Sequence, residues 1–228
     1  MAATKPIFSK DIFQFFRALG RNNKKVWMDA NRERYQETVV LPFRRLCEEL
    51  SPAILKLDPR FDAIGRRGAN FSRINRDIRF AKDKTPYHLH MYLKFSVPLT
   101  GEMKSGQLYT GISSDTATAG FRIYAEPKRK LSSIALIAEP RITRNPKWLA
   151  QQKKRLNKKY DSYWYQAIKG EWIKNDGWPT AADWPKLRAW IVRKKLLPTS
   201  ATRATFSSEV AKIFREVHPL LKFTSLQN

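Results

Sequence analysis

The hydrophobic period of this chain changes after Asp58-Pro59, and this change constrains the fold more than any other feature. Before it, apolar residues recur every three or four positions between Arg32 and Leu57, which predicts a long amphipathic helix. After it, apolar and polar residues alternate from His88 to Val97, which predicts a half-buried β-strand. The two periods together predict a fold that combines helices with a sheet.

The N-terminal region, residues 8–57, is predicted to be helical. A first helix follows Ser9, a favourable N-cap residue, and its apolar residues fall on one face. This stripe consists of Ile12, Phe15, Phe16 and Leu19. A short helix through Trp27 comes next, and Pro42 is expected to kink or split the long helix because proline lacks a backbone N–H donor.

The central region, residues 66–126, is predicted to be rich in β-strands. Two further candidate strands follow the alternating segment, at 107–113 and 120–125. Ser114-Asp115 and Ala119-Gly120 are assigned to the hairpin loop between them. Because no helix separates these strands, they are expected to form an antiparallel sheet.

The C-terminal region, residues 127–222, is predicted to return to helices. Pro146 opens one of them, and the last covers about 207–221. Aromatic residues between Tyr160 and Trp190 are mixed with lysines; we interpret them as core anchors, and a base-stacking platform is the alternative. The whole chain, 1–228, is therefore predicted to be one α+β domain with N-terminal helices, a central antiparallel sheet and C-terminal helices.

Net charge bears directly on function. The 44 Lys and Arg residues exceed the 20 Asp and Glu residues, which gives a formal net charge of +24. Between Arg141 and Tyr160 the chain carries eight cations and no acid. Such an excess is typical of proteins that bind nucleic acid or another polyanion. The alternative is a general basicity that serves solubility alone, and the run is then a solvated helix face.

The single cysteine, Cys47, excludes an intramolecular disulfide and is typical of a protein of the reducing cytoplasm. Its place in a helical pattern beside Leu46 and Leu50 predicts a buried thiol. No apolar stretch reaches the length of a membrane span, and the first residues lack the apolar run of a signal peptide. We therefore expect a cytoplasmic protein with no membrane partner.

The most unusual stretch of the chain runs from Arg73 to Tyr87 and reads RINRDIRFAKDKTPY. It carries five cations against two carboxylates, so we expect it to bind an anion, or else to form a buried lattice of ion pairs between the sheet and the N-terminal helices. Each aspartate can accept two hydrogen bonds from one arginine, which leaves the other cations for a ligand. The candidate anion- or substrate-binding residues, including one histidine of the following strand, are Arg73, Arg76, Asp77, Arg79, Asp83, Lys84, Tyr87 and His90.

Three stretches of the sequence resemble one known family. They are Asn22 to Tyr35, the RxxRDxRFxxDKxPY segment from Arg73 to Tyr87, and Tyr109 to Tyr124. In these stretches the chain is similar to the family catalogued as domain of unknown function 2461, which occurs in bacteria and within longer fungal proteins. The resemblance spans nearly the whole chain and implies a single domain. It implies no activity, because the family has none assigned.

Metal binding has one candidate pair of ligands. His88 and His90 lie on the polar face of the predicted strand, at a spacing that suits two ligands of one ion. A third ligand would have to come from Asp77 or Asp83, because two histidines alone are too few for a metal site. We therefore assign no metal site, and the sequence identifies no cofactor.

Three classes of function remain open at this stage. The first is a binding protein for nucleic acid or a phosphate-rich ligand. The second is a hydrolase-type enzyme that acts on a small phosphorylated or carboxylated substrate in a cleft, and the third is a structural or scaffolding domain. Cations spread over a broad surface favour the first class, whereas cations that converge on a closed pocket favour the second.

Overall fold

The computed structural model describes residues 5–66, 68–98, 106–125 and 133–224. Its contacts group the chain into two compact units. The first unit comprises Met1–Phe95, Thr110–Thr118 and Leu196–Lys212. The second comprises Ser96–Tyr109, Ala119–Lys195 and Ile213–Asn228. The single-domain organisation expected from the sequence stays a prediction.

The helices and strands of the described residues follow the α+β order predicted above. The α-helices are α1 (Asp11–Arg21), α2 (Lys25–Ala30), α3 (Arg32–Tyr35), α4 (Leu41–Leu57), α5 (Ser133–Arg144), α6 (Pro146–Leu156), α7 (Pro198–Ala201) and α8 (Phe206–Thr224). The strands are β1 (His90–Phe95), β2 (Gln107–Ser113), β3 (Ala117–Tyr124), β4 (Asp161–Ile168), β5 (Glu171–Asp176) and β6 (Leu187–Leu196). They form one six-stranded antiparallel sheet in the order β1-β2-β3-β6-β4-β5.

The structure confirms the apolar stripe predicted for the first helix, and the N-terminal helices form the core of the first unit. The apolar face of α1 is buried, and the Ser9 hydroxyl accepts a hydrogen bond from the Asp11 amide at the helix start. Phe8 packs edge-on against Phe43 and Phe206, with ring centroids 5.1 and 5.8 Å apart. Edge-to-face packing adds to the stabilisation that aromatic burial provides, so this cluster holds α4 and α8 in place.

Pro42 affects the long helix at the point that the sequence predicts, but it does not end the helix. The five residues Gln36–Val40, between α3 and α4, form a π-helical segment directly before it. There the Leu41 amide donates to the Gln36 carbonyl, five residues back. A wide turn of this kind is frequently found at functional sites, and it changes which side chains share a helix face.

The region predicted to be helical from 127 to 222 is only partly so, and this part of the prediction is wrong. Strands β4, β5 and β6 occupy most of 161–196, while α5, α6 and α8 are helices as expected. Tyr and Trp favour strands, and here Trp164 is buried between the half-buried Tyr163 and Tyr165. The predicted start of the first of these helices, at 127–132, lies outside the described residues.

A two-residue turn joins β4 to β5. Ile168 pairs with Glu171, so Lys169 and Gly170 form the loop, and both have a positive φ, of 50° and 83°. Positive φ at both central positions is the type I′ geometry that matches the twist of a hairpin, and glycine adopts it without steric cost. The Lys-Gly pair between two aromatic stretches was thus the signal that could have identified this hairpin.

The loop assigned to Ala119-Gly120 is also wrong, because both residues lie inside β3. The turn is confined to 114–116 and is closed by a hydrogen bond from the Ser113 amide to the Thr116 carbonyl, 3.0 Å long. A Cβ at position 120 would lie 2.2 Å from the Val192 carbonyl oxygen. Gly120 is therefore required by the close approach of β6, not by a turn.

Aromatic side chains form the core of the second unit, which confirms the core-anchor interpretation. Trp184 and Trp190 are fully buried, and Trp164 and Trp178 are nearly so. Trp172 is the exception, with 41% of its surface exposed. Cys47 in the first unit is buried as predicted, and burial raises the pKa of its thiol. None of the helices in the described part of the chain is long and apolar enough to cross a bilayer.

Candidate anion-binding site

The segment 71–75 runs beside strand β1, and this pairing sets the direction in which the side chains of residues 71–75 point. Phe71 and Leu93 form an antiparallel bridge, and Asn75 forms another with Tyr87. Ile74 is buried, whereas Arg73 and Asn75 are exposed. This is the alternation expected of an extended chain, and it points Arg73 away from the core of the first unit.

Tyr87 is an anchor of this segment. Its ring is buried, and its backbone makes two hydrogen bonds to the Asn23 side chain: the Asn23 amide donates to the Tyr87 carbonyl at 2.9 Å, and the Tyr87 amide donates to Asn23 Oδ1 at 3.0 Å. One side chain thus satisfies both backbone groups of Tyr87. Asn23 lies between α1 and α2, so this pair ties the stretch from Arg73 to Tyr87 to the N-terminal helices.

The loop 76–85 uses most of its charges within itself. Asp77 accepts two hydrogen bonds from the Arg79 guanidinium, at 3.0 and 2.7 Å, and Asp83 pairs with Arg76 at 2.6 Å. The Lys84 ammonium donates to the carbonyls of Ile78 and Arg79. The side chains of Asp77, Arg79 and Asp83 are 63%, 76% and 61% exposed. The ion pairs are therefore on the surface, unlike the buried lattice considered from the sequence.

Asp83 is the most strongly perturbed carboxyl group of this loop. The backbone amide of Thr85 and then the guanidinium of Arg76 lower its pKa from 3.8 to about 2. A depressed pKa means that the ionised carboxylate favours the folded loop above pH 3.8, and that this contribution is lost as the pH falls through about 2.

We expect Arg76→Gln to raise the pKa of Asp83 from about 2 towards 3.8, because one of its two main hydrogen-bond donors is lost. Carbon-detected NMR titration of the carboxyl group measures the change. Arg79→Gln is the matched control, since Arg79 pairs with Asp77 instead and should leave the Asp83 titration unchanged. Equal shifts in both variants would contradict the assignment of Arg76 as the partner.

A cavity of about 650 Å³ lies between the π-helical segment and the chain from Phe71 to Asn75. Its lining residues come from the first unit and are Arg32, Tyr35, Gln36, Val40, Arg44, Gly65, Phe71, Ser72, Arg73, Ile74, Asn75 and Met91. We call it the arginine pocket. It combines three arginines with an apolar floor, and no carboxylate is among these residues.

The arginines of this pocket differ in their partners. Arg32 forms an exposed ion pair with Asp29 at 2.8 Å, outside the lining. The side chains of Arg44 and Arg73 make no hydrogen bond or ion pair with any other residue that the structure describes. Two guanidinium groups are therefore available to a ligand, and their planar donors suit a carboxylate or a phosphate.

The π-helical segment explains how the long helix supplies its share of the pocket. Arg32, Gln36, Val40 and Arg44 are four residues apart along it. In a regular α-helix, positions four apart drift by about 40° at each step, so the first and last would face different directions. The wider turn of Gln36–Val40 reduces this drift and brings both arginines to one cavity.

A second cavity of about 430 Å³ lies next to the arginine pocket and shares Phe71, Ser72, Arg73 and Asn75 with it. Its other lining residues are Gly68, His88, His90 and Lys94. The rings of His88 and His90 are 5.0 Å apart. Partial burial, and to a smaller extent the charge of Arg76, lowers the pKa of His88. In the described part of the chain, no group of three His, Cys, Asp or Glu residues could hold a metal ion.

The structure thus separates the candidate residues into three groups. Arg73 and His90 line cavities, whereas Tyr87 is a buried anchor. The remaining five belong to the exposed loop and do not line either cavity: Arg76, Asp77, Arg79, Asp83 and Lys84. Sequence reasoning missed Arg32 and Arg44, although their spacing in steps of four was a signal.

The fold and this site define an α+β protein with an arginine-lined cavity beside the edge of its sheet. The chain belongs to the family described as a conserved hypothetical protein, domain of unknown function 2461, whose match covers residues 11–223. The resemblance found in the sequence is therefore confirmed at the level of the family. No curated protein matches the sequence.

Proposed function

We propose that this protein binds a small organic anion in the arginine pocket. The observation that carries the proposal is the convergence of Arg32, Arg44 and Arg73 on one cavity whose lining includes no carboxylate. The guanidinium groups of Arg44 and Arg73 have no ion-pair partner among the described residues and remain available to a carboxylate or a phosphate, and a charge-assisted hydrogen bond contributes about 1.5–3 kcal/mol. Convergence of cations on a cavity favours a small ligand over a long polyanion at this place.

The lining also indicates what the rest of the ligand is like. The floor of the pocket is apolar and includes Val40, Phe71, Ile74 and Met91. Its volume of about 650 Å³ lies within the range of ligand cavities, roughly 300–1,000 Å³. We therefore propose a ligand with an anionic head group, held by the arginines, and an apolar or aromatic body that covers the floor.

Arg73→Gln is expected to weaken binding of phenyl phosphate about tenfold to a hundredfold, because it removes the charged donors of a side chain that has no other partner among the described residues. Isothermal titration calorimetry measures the affinity. Wild-type protein should bind phenyl phosphate more tightly than inorganic phosphate, since only the former covers the apolar floor.

Arg21→Gln is the matched control, because Arg21 is exposed, lines neither cavity and contributes the same charge. Equal losses in the two variants would mean that net charge, and not the pocket, attracts the anion. Absence of binding to wild-type protein would contradict the proposal outright. Release of inorganic phosphate from phenyl phosphate would favour the hydrolase alternative, with His90 and His88 beside Arg73 as the candidate proton-transfer groups.

We further propose a cytoplasmic location. The only cysteine of the chain is a buried thiol, which suits a reducing compartment.

A further inference from the structure

The tip of the loop 76–85 presents an aromatic ring to solvent. Phe80 is 95% exposed, the highest value among the exposed large apolar residues of the described chain. A phenylalanine left in water forgoes about 1.5–3 kcal/mol that burial would provide. Aromatic residues are enriched at interfaces, so a ring held in this position is well placed to contact a partner.

The loop holds this ring in place without a ligand. On the N-terminal side of Phe80, Asp77 and Arg79 form an ion pair. On its C-terminal side, Asp83 accepts hydrogen bonds from the amide and the hydroxyl of Thr85, both 2.9 Å long. Lys84 closes the loop by donating to the carbonyls of Ile78 and Arg79. Because the loop is already ordered by these bonds, a partner that binds Phe80 loses little conformational entropy in ordering it.

The charges around Phe80 indicate which kind of partner the loop binds. The loop carries four cations and two carboxylates in a chain of net charge +24. The guanidinium carbon of Arg79 lies 6.0 Å from the centre of the Phe80 ring, and Lys82 is exposed with no partner among the described residues. An aromatic face flanked by cations is the arrangement by which proteins bind single-stranded nucleic acid: a base stacks on the ring and phosphates contact the cations.

We infer that the Phe80 loop, residues 76–85, is a binding site for single-stranded nucleic acid, separate from the arginine pocket. Stacking of one unpaired base requires only one aromatic ring, so the single exposed ring of Phe80 is sufficient for it. A membrane is the less favourable partner, because membrane binding scales with the apolar area that is buried and this loop exposes a single large apolar side chain. The inference does not depend on the ligand of the arginine pocket.

Fluorescence anisotropy with a labelled oligothymidine, and with a duplex of the same length, tests the inference. Phe80→Ala should raise the Kd for the single strand about tenfold and leave the Kd for the duplex unchanged, because only an unpaired base can stack on the ring. Val26→Ala is the matched control, since Val26 is 81% exposed in the same unit and lies outside the loop. Its Kd values should equal those of the wild type.

Salt dependence tests the role of Lys82 separately. Lys82→Gln should reduce the slope of log K against log salt for the single strand by about 0.7, the value for one phosphate contact. Lys56→Gln removes an exposed lysine of α4 and should leave the slope as it is. Phe80→Ala should also leave it unchanged, because stacking releases no counterion.

Three outcomes would overturn the inference. They are no binding of oligothymidine by the wild type, an unchanged single-strand Kd in Phe80→Ala, and an equal rise for single strand and duplex. A loss of binding to phosphatidylserine vesicles in Phe80→Ala, with oligothymidine binding retained, would assign the loop to a membrane instead. Phenyl phosphate binding by Phe80→Ala should match the wild type, which keeps this test distinct from that of the arginine pocket.

Discussion

Trp190→Ala is expected to lower the free energy of unfolding by about 3–5 kcal/mol, the range for removal of a fully buried tryptophan. Trp190 has no exposed surface and lies at the centre of the aromatic core of the second unit. Its ring packs edge-on against Phe121, Trp178 and Trp184, with centroids 5.5, 5.6 and 5.4 Å away. Truncation would remove contacts with three rings at once and leave a cavity that they cannot all close.

The indole N–H adds a second reason for a large effect. Trp190 Nε1 donates to the Ser162 hydroxyl of β4 at 3.1 Å, so alanine also removes a hydrogen bond between neighbouring strands. Equilibrium urea unfolding followed by circular dichroism measures the loss. Trp172→Ala is the matched control, because Trp172 is 41% exposed on strand β5, and its loss should be clearly smaller. Similar losses in the two variants would contradict the central place of Trp190.

Gly120→Ala is expected to destabilise the fold by at least about 3 kcal/mol, the upper part of the range for overpacked sites. The added Cβ would lie 2.2 Å from the Val192 carbonyl oxygen and 2.7 Å from the Arg193 Cα. Both are backbone atoms of β6, so no side-chain rotation can make room. Strands β3 and β6 would have to separate locally and lose hydrogen bonds of their ladder.

Gly20→Ala provides the matched control for this substitution. At position 20 the added Cβ would meet only the Leu89 side chain, at 3.5 Å, which is an ordinary contact. Gly20 also lies within α1, where alanine is favoured over glycine by about 1 kcal/mol. Urea unfolding should therefore show Gly20→Ala to be at least as stable as the wild type. An equally mild effect of Gly120→Ala would show that β6 can move away from β3.

The sequence predicted those elements whose patterns depend on one buried face. The stripe of α1 and the alternation along β1 each place apolar residues towards a core, and both are confirmed. The region 161–196 was misread because its aromatic residues are buried to different degrees, so no clean alternation marks its strands. Gly120 was misread for a related reason. The residue type alone does not distinguish a glycine that permits two strands to approach closely from a glycine that permits a turn.

The candidate site shows a further limit of sequence reasoning. The charge density of the stretch from Arg73 to Tyr87 made Arg73 a candidate, but density alone could not tell which cations are paired. Arg76 and Arg79 pair with aspartates of their own loop, whereas Arg73 lines a cavity with Arg32 and Arg44. That grouping depends on a π-helical segment, and no residue pattern specifies one reliably.

The position of the segment 71–75 has a consequence for how copies of this chain meet in solution. Strand β1 is the first of the sheet, and an outer strand normally offers unpaired amides and carbonyls to another molecule. Here the Ser72 amide donates to the Tyr92 carbonyl at 2.9 Å, and the Lys94 amide donates to the Asn70 carbonyl at 2.8 Å. The chain thus covers its own sheet edge with an irregular strip, and this removes one route to strand-by-strand aggregation at high concentration.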